Sequence, residues 1–162
     1  MIMELFMTRI NSKRKGNRNE RRACRFMEEW TGKEFIRVAN SGGIHNEAIW
    51  LAGDIVPVDI EFMKEFDTVI ETKHLKYLGN LEGTRSNSII PNIMKQAEAD
   101  MVRVGASNCL GLLRQNRITD YVVTVPVNDR NKEYPWFLRL DNYYLFWGST
   151  ILKENISYKD II

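Results

Sequence analysis

GDIVPVDIEFMKEFDTVIETK, residues 53–73, is the stretch around which the rest of this chain is organised. Asp54 stands at the start of one apolar run, a short polar turn follows, and Thr68-Val69-Ile70-Glu71-Thr72-Lys73 reads as a strand. Side chains along a strand alternate between faces, so Val69, Glu71 and Lys73 share one face while Ile70 and Thr72 take the other. If the two segments pair, the Asp54 carboxylate converges on Glu71. Two chemistries fit this pattern. Two acids and a lysine two residues later suit hydrolysis of a phosphate ester, with oxygen ligands for a hard divalent cation and an ammonium to steady the nucleophile or the developing charge. A hairpin whose solvated face carries an ordinary Glu/Lys pair fits the same letters.

Outside this stretch, the 162 residues suffice for one domain with a real core. Hydrophobic residues at 44% and charged ones at 27% match a soluble globular protein. The formal charge of +2 hides an asymmetry, because residues 9–25 hold eight Arg or Lys against one acid, Glu20. Such a block attracts polyanions, nucleic acid first among them, or serves as a solvated basic arm with no specific partner. Cys24 and Cys109 form no CxxC and no disulfide framework, which suits a reducing compartment. The opening MIMELFM is too short, and too broken by Glu4, for a signal peptide or a membrane span. The expected location is the cytoplasm, with no membrane partner.

In chain order, residues 11–19 are polar and basic around Gly16 and read as a loop or arm. A helix is expected from Asn17 or Asn19 to about Thr31, stopped by Gly32, with Ala23, Phe26, Met27 and Trp30 on its buried face. Glu20, three residues before Ala23, falls toward the same side. There it either meets a cation or caps backbone amides in the first turn. Residues 34–39 alternate as a strand, and Asn40-Ser41-Gly42-Gly43 is a loop in which Ser41 either donates to a phosphate or simply makes the turn. His45 and His74 show no metal-ligand spacing. Residues 74–88 are loop-like, and a second helix is expected from Pro91 to about Val104, ended by Gly105, with Ile93, Ala97, Met101 and Val104 buried and Gln96 at the edge of that stripe. Apolar strands follow at 109–113, 121–127 and 136–140. The aromatic run 143–147 reads as a last strand packed on the sheet or as part of a dimer surface. Helix, strands, helix and further strands make a mixed α/β chain, a central mixed sheet with a helix on either side.

The motifs then line up in one order: Lys15-Gly16 and Glu20-Arg21, Arg37-Val38-Ala39-Asn40-Ser41-Gly42-Gly43, Gly53-Asp54-Ile55, Glu71-Thr72-Lys73, and Gln96 on the following helix. This set, over about residues 13–105, resembles the PD-(D/E)XK nucleases, and within them the archaeal-type Holliday-junction resolvases and their phage relatives. The resemblance implies a restriction-endonuclease-like sheet flanked by helices in a single nuclease domain, with residues 1–18 a basic arm and 108–162 completing the sheet and extending the C-terminus. It implies Glu20, Asp54 and Glu71 around one or two magnesium or manganese ions, Lys73 activating water, and Ser41 and Gln96 as auxiliary contacts. Lys13, Arg14, Lys15, Arg18, Arg21 and Arg37 are the expected DNA contacts. The implied substrate is branched DNA cut by a homodimer, in a host cytoplasm if the gene is a phage's, with no small-molecule cofactor beyond the metal. A nuclease acting on duplex or single-stranded DNA and a non-catalytic DNA-binding protein on the same fold are the alternatives. Two departures stand out. Gly53 occupies the place where a proline often precedes the first acid, a tolerated variation, and residues 44–51 read as an insertion that leaves the position of Ser41 relative to the metal open.

Overall fold

A computed structural model describes residues 2–38 and 52–162, with side chains from residue 14 onward in the first of these segments. The chain opens with a long helix, α1 (Ile2–Thr31), whose Ala23, Phe26 and Met27 are buried and whose Trp30 indole donates to the Ile156 carbonyl at 2.8 Å. The basic segment expected as a loop, residues 11–19, is therefore helical. Arg, Lys and Glu are good helix formers, and the single Gly16 costs only about 1 kcal/mol in a helix interior. Gly32, at φ +70°, closes α1 where the sequence places the stop.

Strands β1 (Phe35–Arg37) and β2 (Ile55–Pro57) pair antiparallel, and Ile55 pairs with Ile70 of β3 (Thr68–Leu75). Between β2 and β3 the expected polar turn is a short helix, α2 (Ile60–Phe66). Asp59 caps it, accepting from the amides of Glu61 and Phe62, and Asp67 ends it in the left-handed region at φ 41°. Its Phe62, Met63 and Phe66 are buried, at helical rather than strand spacing.

Helix α3 (Ile89–Val104), ended by Gly105 at φ 72°, crosses over to β4 (Asn108–Gln115), which runs parallel to β3. Strands β5 (Val122–Pro126), β6 (Leu138–Leu140) and β7 (Tyr143–Trp147) complete, among the described residues, a seven-stranded sheet in the order β1-β2-β3-β4-β5-β7-β6. All its pairings are antiparallel except β3 with β4. This is the mixed, helix-flanked sheet expected of a restriction-endonuclease-like fold.

The alternation along β3 divides the interior. Ile70 joins Leu110 and Leu112 in a core beneath α1 and α2, while Val69 joins Cys109 and Leu113 in a second core beneath α3, around Ile90, Met94 and Ala97. The aromatic run 143–147 is interior packing: Tyr143, Tyr144, Leu145 and Phe146 are buried, and Trp136 stacks on Tyr144 with centroids 4.9 Å apart. Two further short helices, α4 (Gly148–Lys153) and α5 (Tyr158–Ile161), return Ile151, Ile156, Ile161 and Ile162 to the core beneath α1. Among the described residues no helix is long and apolar enough to cross a membrane.

Candidate active site

Gly53 sets the geometry. At φ +81° it turns the chain so closely over β3 that a Cβ there would lie 2.5 Å from the Ile70 carbonyl oxygen. A proline, locked near φ −65°, could not make this turn, so the glycine is a requirement of the local backbone and not an interchangeable variant. The turn lets the Asp54 amide donate to the Ile70 carbonyl at 2.8 Å. It also aims the Asp54 carboxylate at β3, where Oδ2 accepts from the Thr72 amide at 2.7 Å and its hydroxyl at 3.2 Å. Among the described residues β2 pairs with β3 only through Ile55 and Ile70, and the second half of β3 runs on past β2.

On that second half, Glu71 and Lys73 share the face that covers α3, two residues apart as the alternation requires. Glu71 is only 3% exposed, and Lys73 Nζ lies 2.7 Å from its Oε1. Burial, and then the charge of Asp54, push the Glu71 carboxyl up to about 7 although the ammonium opposes the shift. For Lys73, burial favours the neutral amine, but Glu71, Asp54 and Glu20 outweigh it and hold the group above its ordinary range. The result is a compact acid–acid–ammonium site with more negative charge than one lysine compensates.

The other candidates are distributed differently. Glu20 does turn inward, and it finds a cation: Arg37 Nε reaches its Oε2 at 2.5 Å, while Arg37 Nη2 donates to Asn17 Oδ1 at 2.7 Å. Arg37 thus clamps α1 to β1. Gln96 is exposed on α3, and among the described residues no side-chain hydrogen bond brings it to the acids. Arg14, Arg18 and Arg21 are exposed and, with Arg25, recur every three or four residues along one line of α1. Lys15 is half-buried and donates to Asn116 Oδ1 at 2.7 Å. Ser41, the glycines after it and the inserted segment 44–51 lie outside the described residues, as does the Lys13 side chain.

Two features escaped the sequence motifs. Asp100, one turn beyond Gln96 on α3, adds its charge to Glu71; the helical period from Ile93 through Ala97 points to it. His74 and Arg114, opposite one another on β3 and β4, belong to no motif, because only the strand register joins them.

Asp54 and Glu71 suit a hard divalent cation. They are two oxygen donors, one of them buried at a cost that a neighbouring dication would relieve. Among the described residues no three of His, Cys, Asp and Glu come together closely enough to hold a metal ion. The pair Asp54 and Glu71 is the fitting donor set.

Residues 11–139 match the model of a family described as "Phage putative PDDEXK endonuclease". The match runs past the stretch that carries the motifs, through β4 and β5 and into β6. No curated protein and no solved structure matches the chain.

Proposed function

The chain belongs to this family of phage PDDEXK endonucleases, and on that premise we propose that it is a magnesium- or manganese-dependent endodeoxyribonuclease that cuts four-way DNA junctions as a homodimer. The observation that carries the catalytic part is the buried Glu71, pushed up by burial and by the charge of Asp54, and joined to Lys73 at 2.7 Å. A purely structural pair has no need of a carboxylate so costly to ionise, which argues against a silent binding module.

Asp54 and Glu71 would hold the cation, which when bound supplies charge to polarise the phosphate and acidify a water. Thr72 keeps the Asp54 carboxylate oriented through its amide and hydroxyl. Attack of water on phosphorus breaks the bond to the leaving oxygen and piles charge on the remaining phosphoryl oxygens. The Lys73 ammonium, about a third exposed beside Glu71, would balance that charge. Glu20 positions Arg37, and through it the joint between α1 and β1.

The junction preference rests on the ordered motifs from Lys15-Gly16 to Gln96, and the homodimer on the near two-fold symmetry of a four-way junction, which two copies of one site would match. A gel-shift comparison in metal-free buffer tests it: a four-way junction should bind more tightly than linear duplex of equal length. Equal affinity for the two would sink the junction reading and leave a general DNA endonuclease.

A further inference from the structure

On the opposite side of the sheet from Glu71 and Lys73, four basic side chains gather where β3 and β4 end. His74 and Arg114 face each other in the parallel register, each one residue before the end of its strand. Helix α1 lies over this face, and its Lys15 and Arg22, seven residues or about two turns apart, are both half-buried. Lys15 is tied to Asn116, just beyond β4.

Arg114 is the unusual member. It is only 5% exposed, lies over the Tyr121 ring at 5.5 Å, and donates from Nη2 to the Ile118 carbonyl at 3.3 Å. Its Nε has no hydrogen-bond partner, and the side chain enters no ion pair, among the described residues. A buried guanidinium without a counter-charge is costly. The neighbours deepen the imbalance: burial, followed by the charges of Lys15, Arg114 and Arg22, pushes His74 down to about 4, and among the described residues no carboxylate opposes them. A buried, planar arginine fork amid other cations matches a phosphate in shape and charge. The carboxyl ends of parallel strands are, besides, a recurrent place for such ligands.

We propose that Lys15, Arg22, His74 and Arg114 form a phosphate-binding pocket that seats a backbone phosphate of the DNA next to the one being cut. The assignment rests on the nuclease reading above. Lys73 and His74 are consecutive on β3 and point to opposite faces, so a strand crossing the end of β3 meets the acids on one side and the pocket on the other. The pocket then fixes which phosphodiester lies over Lys73.

The test uses the imidazole NMR signals of the full chain in metal-free buffer. With only two histidines present, His74→Gln identifies the resonance. Linear duplex DNA should move the His74 signals and raise their titration midpoint, and inorganic phosphate at higher concentration should move the same signals. Lys15→Ala, on a half-buried surface position that spares the core, should weaken duplex binding several-fold and reduce the slope of log K against log salt by about one. Duplex that binds while the His74 signals stay still and Lys15→Ala changes nothing would overturn the pocket and leave the nuclease reading intact. Inorganic phosphate that moves His74 while neither linear duplex nor a four-way junction binds at all would keep the anion pocket and remove the nuclease reading. Neither probe moving His74 would overturn the pocket outright.

Discussion

Glu71 and Arg114 are both buried ionisable groups, on neighbouring parallel strands and opposite faces of the same sheet, yet they are solvated in opposite ways. Glu71 has a lysine at 2.7 Å and still carries too much negative charge around it, because Asp54 and Asp100 add to it. Arg114 has no carboxylate partner among the described residues and stands among Lys15, Arg22 and His74. The two faces call for opposite ligands, a cation on one and an anion on the other. On the proposed reading, a metal held on one side of the sheet end and a phosphate on the other would suit the cutting of a polyanion.

The largest effect tests the acid side. Replacing Lys73 with Met should lower cleavage by roughly 10²–10³-fold, as loss of one charge-stabilising donor does, while DNA affinity stays nearly unchanged. A fall in affinity with the rate intact would mean that Lys73 only binds.

The next prediction sets the two faces against each other through pH. Glu71 has a folded-state pKa of about 7, above the ordinary 4.5. As pH rises from about 4.5 to about 7 the unfolded chain loses this proton first, so the Glu71 contribution falls across that window, by on the order of 3 kcal/mol in total. His74 runs the other way. Its folded-state value is about 4 against an ordinary 6.5, so the unfolded chain takes up the proton more readily and stability from this group rises between those pH values. In metal-free buffer, melting curves of Glu71→Gln should lose the decline and gain stability relative to wild type at pH 8. Melting curves of His74→Gln should lose the rise instead. The same pH profile in both variants would show that the faces are not electrostatically distinct.

How much of this was legible in the letters depended on the range of the interaction. The β3 face shared by Glu71 and Lys73, the inward turn of Glu20 and both glycine stops followed from local periodicity, and the ordered motifs anticipated the family. Helix α2 escapes the local pattern because Asp59 fits a turn as well as the N-cap it is, and the helical spacing of Phe62, Met63 and Phe66 stands out only beside that cap. The segment 11–19 reads as an arm because one glycine suggests a break in a helix that its other residues sustain. Arg114 could not be found at all. It meets His74 through a parallel pairing set by α3 packing, some forty residues along the chain, and no local pattern encodes that register.

Gly53 offers a smaller test, now of how the acid side is built. Gly53→Ala places a Cβ against the Ile70 carbonyl at a positive φ, which should cost about 1–3 kcal/mol and misplace Asp54. Cleavage should fall more than DNA binding. Full activity in a destabilised variant would show that the turn serves folding alone.

The smallest effects belong to the exposed row on α1. Arg14→Ala, Arg18→Ala and Arg25→Ala should each weaken DNA binding a few-fold and reduce the salt slope by about one where the residue meets a phosphate, without altering the His74 signals. Movement of those signals would place the exposed row and the half-buried pocket in one site.

The most direct measurement is nicking of an end-labelled four-way junction by wild type and by Asp54→Asn, in magnesium and in EDTA, with linear duplex as control. Paired symmetric nicks on the junction that need magnesium and vanish with Asp54→Asn are the expected result. Cleavage that proceeds in EDTA, or that Asp54→Asn leaves at the wild-type rate, would contradict the assignment of Asp54 and Glu71 as the centre of the site.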